Sequence, residues 1–188
     1  MAILKVARLG HPVLRQAAKP VPPGDIGSSA IQRLIDDMIE TMHEYDGVGI
    51  AAPQVHQSLR LAVIEVAHNP RYPQAPETPL TVLINPEITA CSDAQPGAGA
   101  RLGWEGCLSV DGLRGQVPRA ERLSARWLDR AGRPVQAEAQ GFFAVVIQHE
   151  VDHLNGKVFL DRMADLTTLT HLKEYERYWL HGDEPESE

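Results

Sequence analysis

Residues 142–155 read FFAVVIQHEVDHLN and are followed by Gly156. Apolar side chains cover almost every side of this run, and a glycine stands where a helix C-cap needs a left-handed residue. The stretch predicts a helix buried in the core. Set into it are His149, Glu150 and His153, spelling H-E-V-D-H. Residues four apart lie one above the other on one helical face, so both imidazoles can reach one metal ion with the carboxylate beside it. The same pattern also fits a helix whose two histidines are satisfied by ordinary hydrogen bonds. Its setting weighs against that reading, because an unpaired polar group among Phe, Val, Ile and Leu costs about 1–3 kcal/mol. A shared metal would satisfy the groups together.

Two imidazoles make an incomplete site, and a thiolate is the strongest remaining candidate for a third ligand. The chain has two cysteines. Cys107 lies in EGCLS (105–109), beside a glycine that permits close approach. Its competitor Cys91 stands between a strand-like run and a polar stretch. Most free cysteines are small buried hydrophobes, and Cys107 taken alone reads that way.

Outward from this helix, residues 30–45 place Ile31, Leu34, Ile35, Met38, Ile39 and Met42 at helical spacing, with Ser29 and Gln32 as a capping-box pattern. GVGIAAPQ (47–54) is apolar but carries two glycines and Pro53, so it reads as a loop or short edge strand whose backbone approaches something closely. Strand-like runs follow at 59–66, 80–84, 123–128 and 135–139, the last two joined into an antiparallel hairpin by DRAGRP. Residues 67–79 and 92–103, rich in Pro or in Gly, Ala and Pro, read as surface loops. A final helix is expected over 167–180 with Leu169, Leu172, Tyr175 and Trp179 facing inward.

At 188 residues the chain is one domain in size, able to bury roughly 70% of its unfolded surface. No run approaches 18 consecutive apolar residues, which excludes a membrane-spanning helix. The net charge is −7, and four of the acids, Asp183, Glu184, Glu186 and Glu188, stand in the last six residues. A mildly acidic body with scattered arginines lacks the concentrated basic face that a phosphate backbone needs. Two cysteines are too few for a disulfide framework, and Lys5 and Arg8 interrupt the apolar start, so no secretion signal is read there. A reducing cytoplasm is the expectation. The lack of acids before Asp25 leans toward an organellar transit peptide, but such peptides are Ser-rich and the first serine is Ser28.

Taken together, GVGIAAPQ (47–54), EGCLS (105–109) and QHEVDH (148–153) are similar, in content and order, to the three motifs of the peptide deformylases. The resemblance extends through VPRAE (117–121), LDRAGRP (128–134) and HLNG (153–156). It implies an α+β fold of antiparallel sheets around a central buried helix carrying the HExxH motif, flanked by an N-terminal amphipathic helix and a C-terminal helix. The implied chain plan is a single catalytic domain over 1–182 and an acidic, disordered tail over 183–188. The implied reaction removes the N-formyl group from the initiator methionine of nascent polypeptides and releases formate. By resemblance, Cys107, His149 and His153 hold one divalent metal. Fe(II) is expected, with Zn(II), Ni(II) or Co(II) as substitutes. Metal-bound water attacks the formyl carbon, Glu150 is general acid/base, and Gln54 with the Leu108 N–H stabilises the oxyanion.

Gly49 would offer its backbone to the peptide. Val48, Phe142, Val145 and Val146 are candidates for the methionine pocket, though each also reads as a plain core residue. Arg114 is a candidate for steering the peptide. The partners implied are formylmethionyl nascent chains, with the ribosome near its exit tunnel left open, and a monomer is expected. Loops 67–79 and 91–104 are enlarged relative to the simplest members. Two other readings are kept. In one, an HExxH metalloprotease takes a downstream third ligand such as Glu174. In the other, a noncatalytic protein closes a structural zinc with Cys91, Cys107, His149 and His153.

Overall fold

The computed structural model describes residues 2–67, 69, 75–91 and 100–180. Among these residues eight strands form two antiparallel sheets, and three α-helices pack against them. The larger sheet has the order β1 (Gly49–Ala51), β2 (Leu61–Val66), β3 (Thr78–Cys91), β6 (Arg122–Leu128), β7 (Pro134–Gln140). The smaller is β4 (Ala100–Cys107), β5 (Val110–Ala120), β8 (Thr170–His171). The β4–β5 hairpin is thus inserted between two neighbours of the larger sheet.

Strand β2 shows how the layers form. Its run LAVIEV is buried on both faces, which is why it reads as continuous rather than alternating. Ala62 and Ile64 pack toward Ala144, Ile147 and Val151 of α2 (Gly141–Leu154), in one core that also takes Leu123 and Trp127 from β6. Leu61 and Val63 pack with Ile31, Ile35, Met38 and Met42 of α1 (Ser29–Glu44) in a second core. One strand with period-two side chains therefore serves two helices on opposite faces. Helix α2 touches β1 and β5 as well, so it lies against both sheets. Val117, Val158, Phe159 and Cys107 make a third, smaller core beneath β4 and β5.

Helix α1 begins one residue earlier than its sequence pattern implied. Ser28 is the N-cap, its Oγ accepting from the Ile31 N–H at 3.3 Å. The Gln32 amide closes no capping box; it donates to the carbonyls of Ile26 and Arg130, at 2.9 and 3.1 Å. GVGIAAPQ is an edge strand, β1, running into a 3-10 turn at Ala52–Val55. DRAGRP joins β6 to β7 in the expected hairpin.

Two expectations are corrected. The loop read over 92–103 gives up Ala100–Gly103 to β4, while residues 92–99 lie outside the described residues, as do 68, 70–74 and the tail. The helix read over 167–180 is only α3 (Leu172–Tyr178). Upstream of it Asp165 caps a short 3-10 turn at Leu166–Thr168, and Thr170–His171 join β5 opposite Arg114 and Leu113. Threonines are poor in helices, and a free strand edge offers the backbone a better partner. Leu169, Leu172 and Tyr175 are half-buried as expected, but Trp179 is 56% exposed. No helix among the described residues is long and apolar enough to cross a membrane.

Candidate active site

Three local structures deliver side chains to one point. On α2, His149 and His153 are stacked four residues apart with ring centroids 4.9 Å from each other. The β4–β5 hairpin turns at Leu108–Ser109 and ends β4 on Cys107, whose Sγ is 3.2 Å from His153 Nε2. Ligand atoms of Cys107, His149 and His153 all lie within 4.8 Å of one another. The turn after β1 brings in Gln54. Its Oε1 accepts from the Ala51 N–H at 2.8 Å, which aims its Nε2 at Ser109 Oγ (3.2 Å) and Cys107 Sγ (3.5 Å).

Glu150 is 3% exposed and its Oε2 has no hydrogen-bond partner among the described residues. Burial pushes its carboxyl up to about 7, against the pull of His149 and His153. Across from it lies Gly49, where a Cβ would collide with the Glu150 carboxyl. The close backbone approach read from GVGIAAPQ is therefore to this carboxylate.

Behind the three convergent side chains runs a buried ionic relay. His149 Nδ1 donates to Glu105 Oε2 at 2.8 Å, leaving Nε2 to face Cys107. Glu105 takes a two-point contact from Arg119, at 2.6 and 3.0 Å, and Arg119 reaches on to Asp152 Oδ2 at 2.6 Å. Arg162 closes the chain on Asp152 at 2.6 Å. Burial alone would raise the Glu105 carboxyl, but the hydrogen bonds from His149 and Arg119 hold it down at about 2. Burial likewise opposes ionisation of Cys107, yet the charge of His153 and the hydrogen bond from His149 hold the thiol well below its ordinary value. The sequence reading named none of Glu105, Ser109, Arg119 or Asp152. All four stand inside stretches it quoted, and the signal available was their charge or polarity next to runs that must be buried.

A cleft leads to this buried point. Its walls include Val48, Gly49, Leu108, Phe142, Val145 and Val146, together with Trp104, which the sequence reading did not name. Gln54, Cys107, His149 and Glu150 line its end. Arg114 lines an adjoining groove that shares Cys107 and Leu108 with this cleft. It is 4% exposed and does not line this cleft; its guanidinium occupies the space a Cβ on Gly106 would need, with Cζ 6.0 Å from the Tyr175 ring centroid. The β4–β5 register explains this, since four residues, 111–114, bulge from β5 opposite Gly106 alone. Glu174 is exposed on α3, and Cys91 is exposed at the end of β3; neither belongs to the Cys107–His149–His153 group.

The donor set fits a metal ion. One sulfur and two imidazoles converge in a buried place, one imidazole is oriented by a carboxylate as metal-bound histidines are, and an unpartnered buried carboxylate oxygen stands beside them. Such a group at the end of an apolar cleft, on a two-sheet α+β scaffold, has the parts of a single-metal hydrolase. The chain belongs to the polypeptide deformylase family, whose model matches residues 3–168, and by that family it is a peptide deformylase. It is 44% identical over 163 residues to peptide deformylase 2 of Pseudomonas putida, covering 87% of this chain and 89% of that one. With peptide deformylase 2 of a Nostoc species it shares 45% over 175 residues, 93% of each. Among solved structures, a class I type b peptide deformylase from Acinetobacter baumannii superposes with a TM-score of 0.82 at 44% identity, over 87% of this chain and all of that one. The same enzyme bound to Met-Ala-Ser superposes at 0.81 and 45% identity, over 86% of this chain and 99% of that one.

Proposed function

We propose that this enzyme removes the N-formyl group from formylmethionyl peptides, releasing formate, with Cys107, His149 and His153 holding one divalent metal. Bound there, the ion supplies Lewis acidity that makes a water molecule nucleophilic near neutral pH. Fe(II) is the proposed ion, and a thiolate with two imidazoles also accepts Zn(II), Ni(II) or Co(II). Glu150 takes the proton of the attacking water and returns it to the departing amine. Gln54 Nε2 and the Leu108 N–H donate to the formyl oxygen as it gains negative charge. The Gly49 backbone pairs with the peptide, while Val48, Phe142, Val145 and Val146 receive the methionine side chain. Arg114 steers the peptide from the adjoining groove that it lines with Leu108 and Tyr175.

One observation carries the reading: a buried carboxylate with a free oxygen abuts a Cys–His–His group at the end of a cleft. Support for the substrate class comes from the Acinetobacter enzyme, which was solved with Met-Ala-Ser. The enzyme acts in the cytoplasm as a monomer on nascent chains, with residues 1–182 as its catalytic unit. The test is formate release from formyl-Met-Ala-Ser by protein loaded with Fe(II) without oxygen. Cleavage of an internal peptide bond instead would favour the metalloprotease reading, and full metal binding with no hydrolysis would favour a structural site.

A further inference from the structure

The residue with the least expected contact lies outside every motif. Arg8 is half exposed, and beside Asp111 it reads as an ordinary surface pair, which would be worth little. Its geometry says otherwise. The Asp111 carboxylate is 3.7 Å away, whereas Arg8 Nη1 donates to the backbone carbonyl of Leu108 at 2.7 Å. The other end of that same peptide unit, the Ser109 N–H, donates to Cys107 Sγ at 3.4 Å. A planar trans peptide points its C=O and N–H in opposite directions, so a cation on the oxygen draws charge along the unit and strengthens the N–H as a donor.

Arg8 is also held in place. On either side of it, the Ala7 N–H donates to the Gln54 carbonyl at 2.7 Å and the Leu9 N–H to the Ser109 carbonyl at 2.8 Å. The N-terminal segment therefore straps the Gln54 turn to the Leu108–Ser109 turn, with one cation at its centre. We infer that Arg8 is a positioning residue for the Cys107 sulfur, acting through the Leu108–Ser109 peptide group to orient and strengthen the hydrogen bond that sulfur accepts. Hydrogen bonds to a ligating sulfur tune the metal it holds. The inference rests on Cys107 being a metal ligand.

Co(II)-loaded enzyme tests it, because sulfur-to-cobalt charge transfer absorbs in the near ultraviolet and its energy falls when the sulfur loses a hydrogen bond. Arg8→Met, which keeps the length of the stem but no donor, is expected to move that band to longer wavelength with cobalt stoichiometry unchanged. Arg8→Lys, which keeps the charge, should bring the band most of the way back. Asp111→Asn removes the carboxylate that competes for Arg8 and should move the band the other way; its sign decides the matter where Arg8→Met does not fold. A folded, cobalt-loaded Arg8→Met protein with the wild-type band overturns the inference, as does an unmoved band in Asp111→Asn where that variant is the arbiter. Absence of the band from the wild-type protein would instead refute Cys107 as a ligand.

Discussion

Glu150 does two jobs in the proposed chemistry and none in holding the metal, which makes it separable from its neighbours. Losing a positioned acid/base costs about 10²–10⁴-fold in rate. Glu150→Gln is nearly isosteric, so metal content and thermal midpoint are expected to stay at wild-type values while formate release falls by that order. Wild-type turnover in the metal-loaded variant would show the base to be another residue. Gly49 offers a second single-atom test. A Cβ there collides with the Glu150 carboxyl, and Gly49→Ala is expected to lower kcat by at least tenfold as the carboxylate is pushed from its place; equal kcat would mean Glu150 can shift without consequence. At this scale the sequence was most informative where chemistry and spacing coincide. HEVDH and EGCLS named the three side chains that the fold brings to one point. Gln54 was named by resemblance alone, because nothing local says that Ala51 will engage its amide oxygen and turn its nitrogen toward Cys107. Arg8 carries no local signal at all: its partner is a carbonyl 100 residues away.

Elements were legible where one period dominates. The α1 stripe and the β6–β7 hairpin could be read because their burial patterns are regular over many residues. Strand β5 could not, since VDGLRGQVPRA holds two glycines and a proline and bulges opposite Gly106. Only its partners, β4 on one edge and β8 on the other, make it a strand. The end of α2 was legible from Gly156 alone, and the structure adds why that glycine is needed twice over. Its φ is +72°, and a Cβ would come within 2.9 Å of the Arg15 carbonyl carbon. The N-terminal segment packs there, with the Ala18 N–H donating to the Leu154 carbonyl at 2.9 Å. Left-handed backbone costs a residue with a Cβ about 1–2 kcal/mol, and the collision adds to it. Gly156→Ala is therefore expected to lower the urea midpoint by an amount equivalent to about 2 kcal/mol or more with the m-value unchanged. A loss below about 0.5 kcal/mol, the range of ordinary surface substitutions, would mean the segment from Arg15 to Ala18 gives way freely.

Over the whole molecule, the smaller sheet and α2 are tied by charge as well as by packing. Arg119 of β5 reaches Glu105 on β4 and Asp152 on α2, and Asp152 is in turn held by Arg162, after α2. Arg119, Glu105 and Asp152 are all buried, so no water stands ready to replace a lost partner. Swapping every member for apolar residues could leave stability unchanged, because the desolvation of the ions offsets most of their attraction. Removing Arg119 alone is a different perturbation, since it leaves two carboxylates buried without their shared cation, and breaking a buried pair in this way costs about 3–5 kcal/mol. In a domain of this length 1 kcal/mol moves the midpoint by about 2–4 °C, so Arg119→Met is expected to lower Tm by roughly 6–20 °C. Glu105 also orients His149, so the same variant should hold its metal more weakly in competition with a chelator, even well below its Tm. A large fall in Tm with metal affinity unchanged would separate the two effects. It would show that Glu105 keeps His149 in place without Arg119, and that this part of the network serves the fold and not the site.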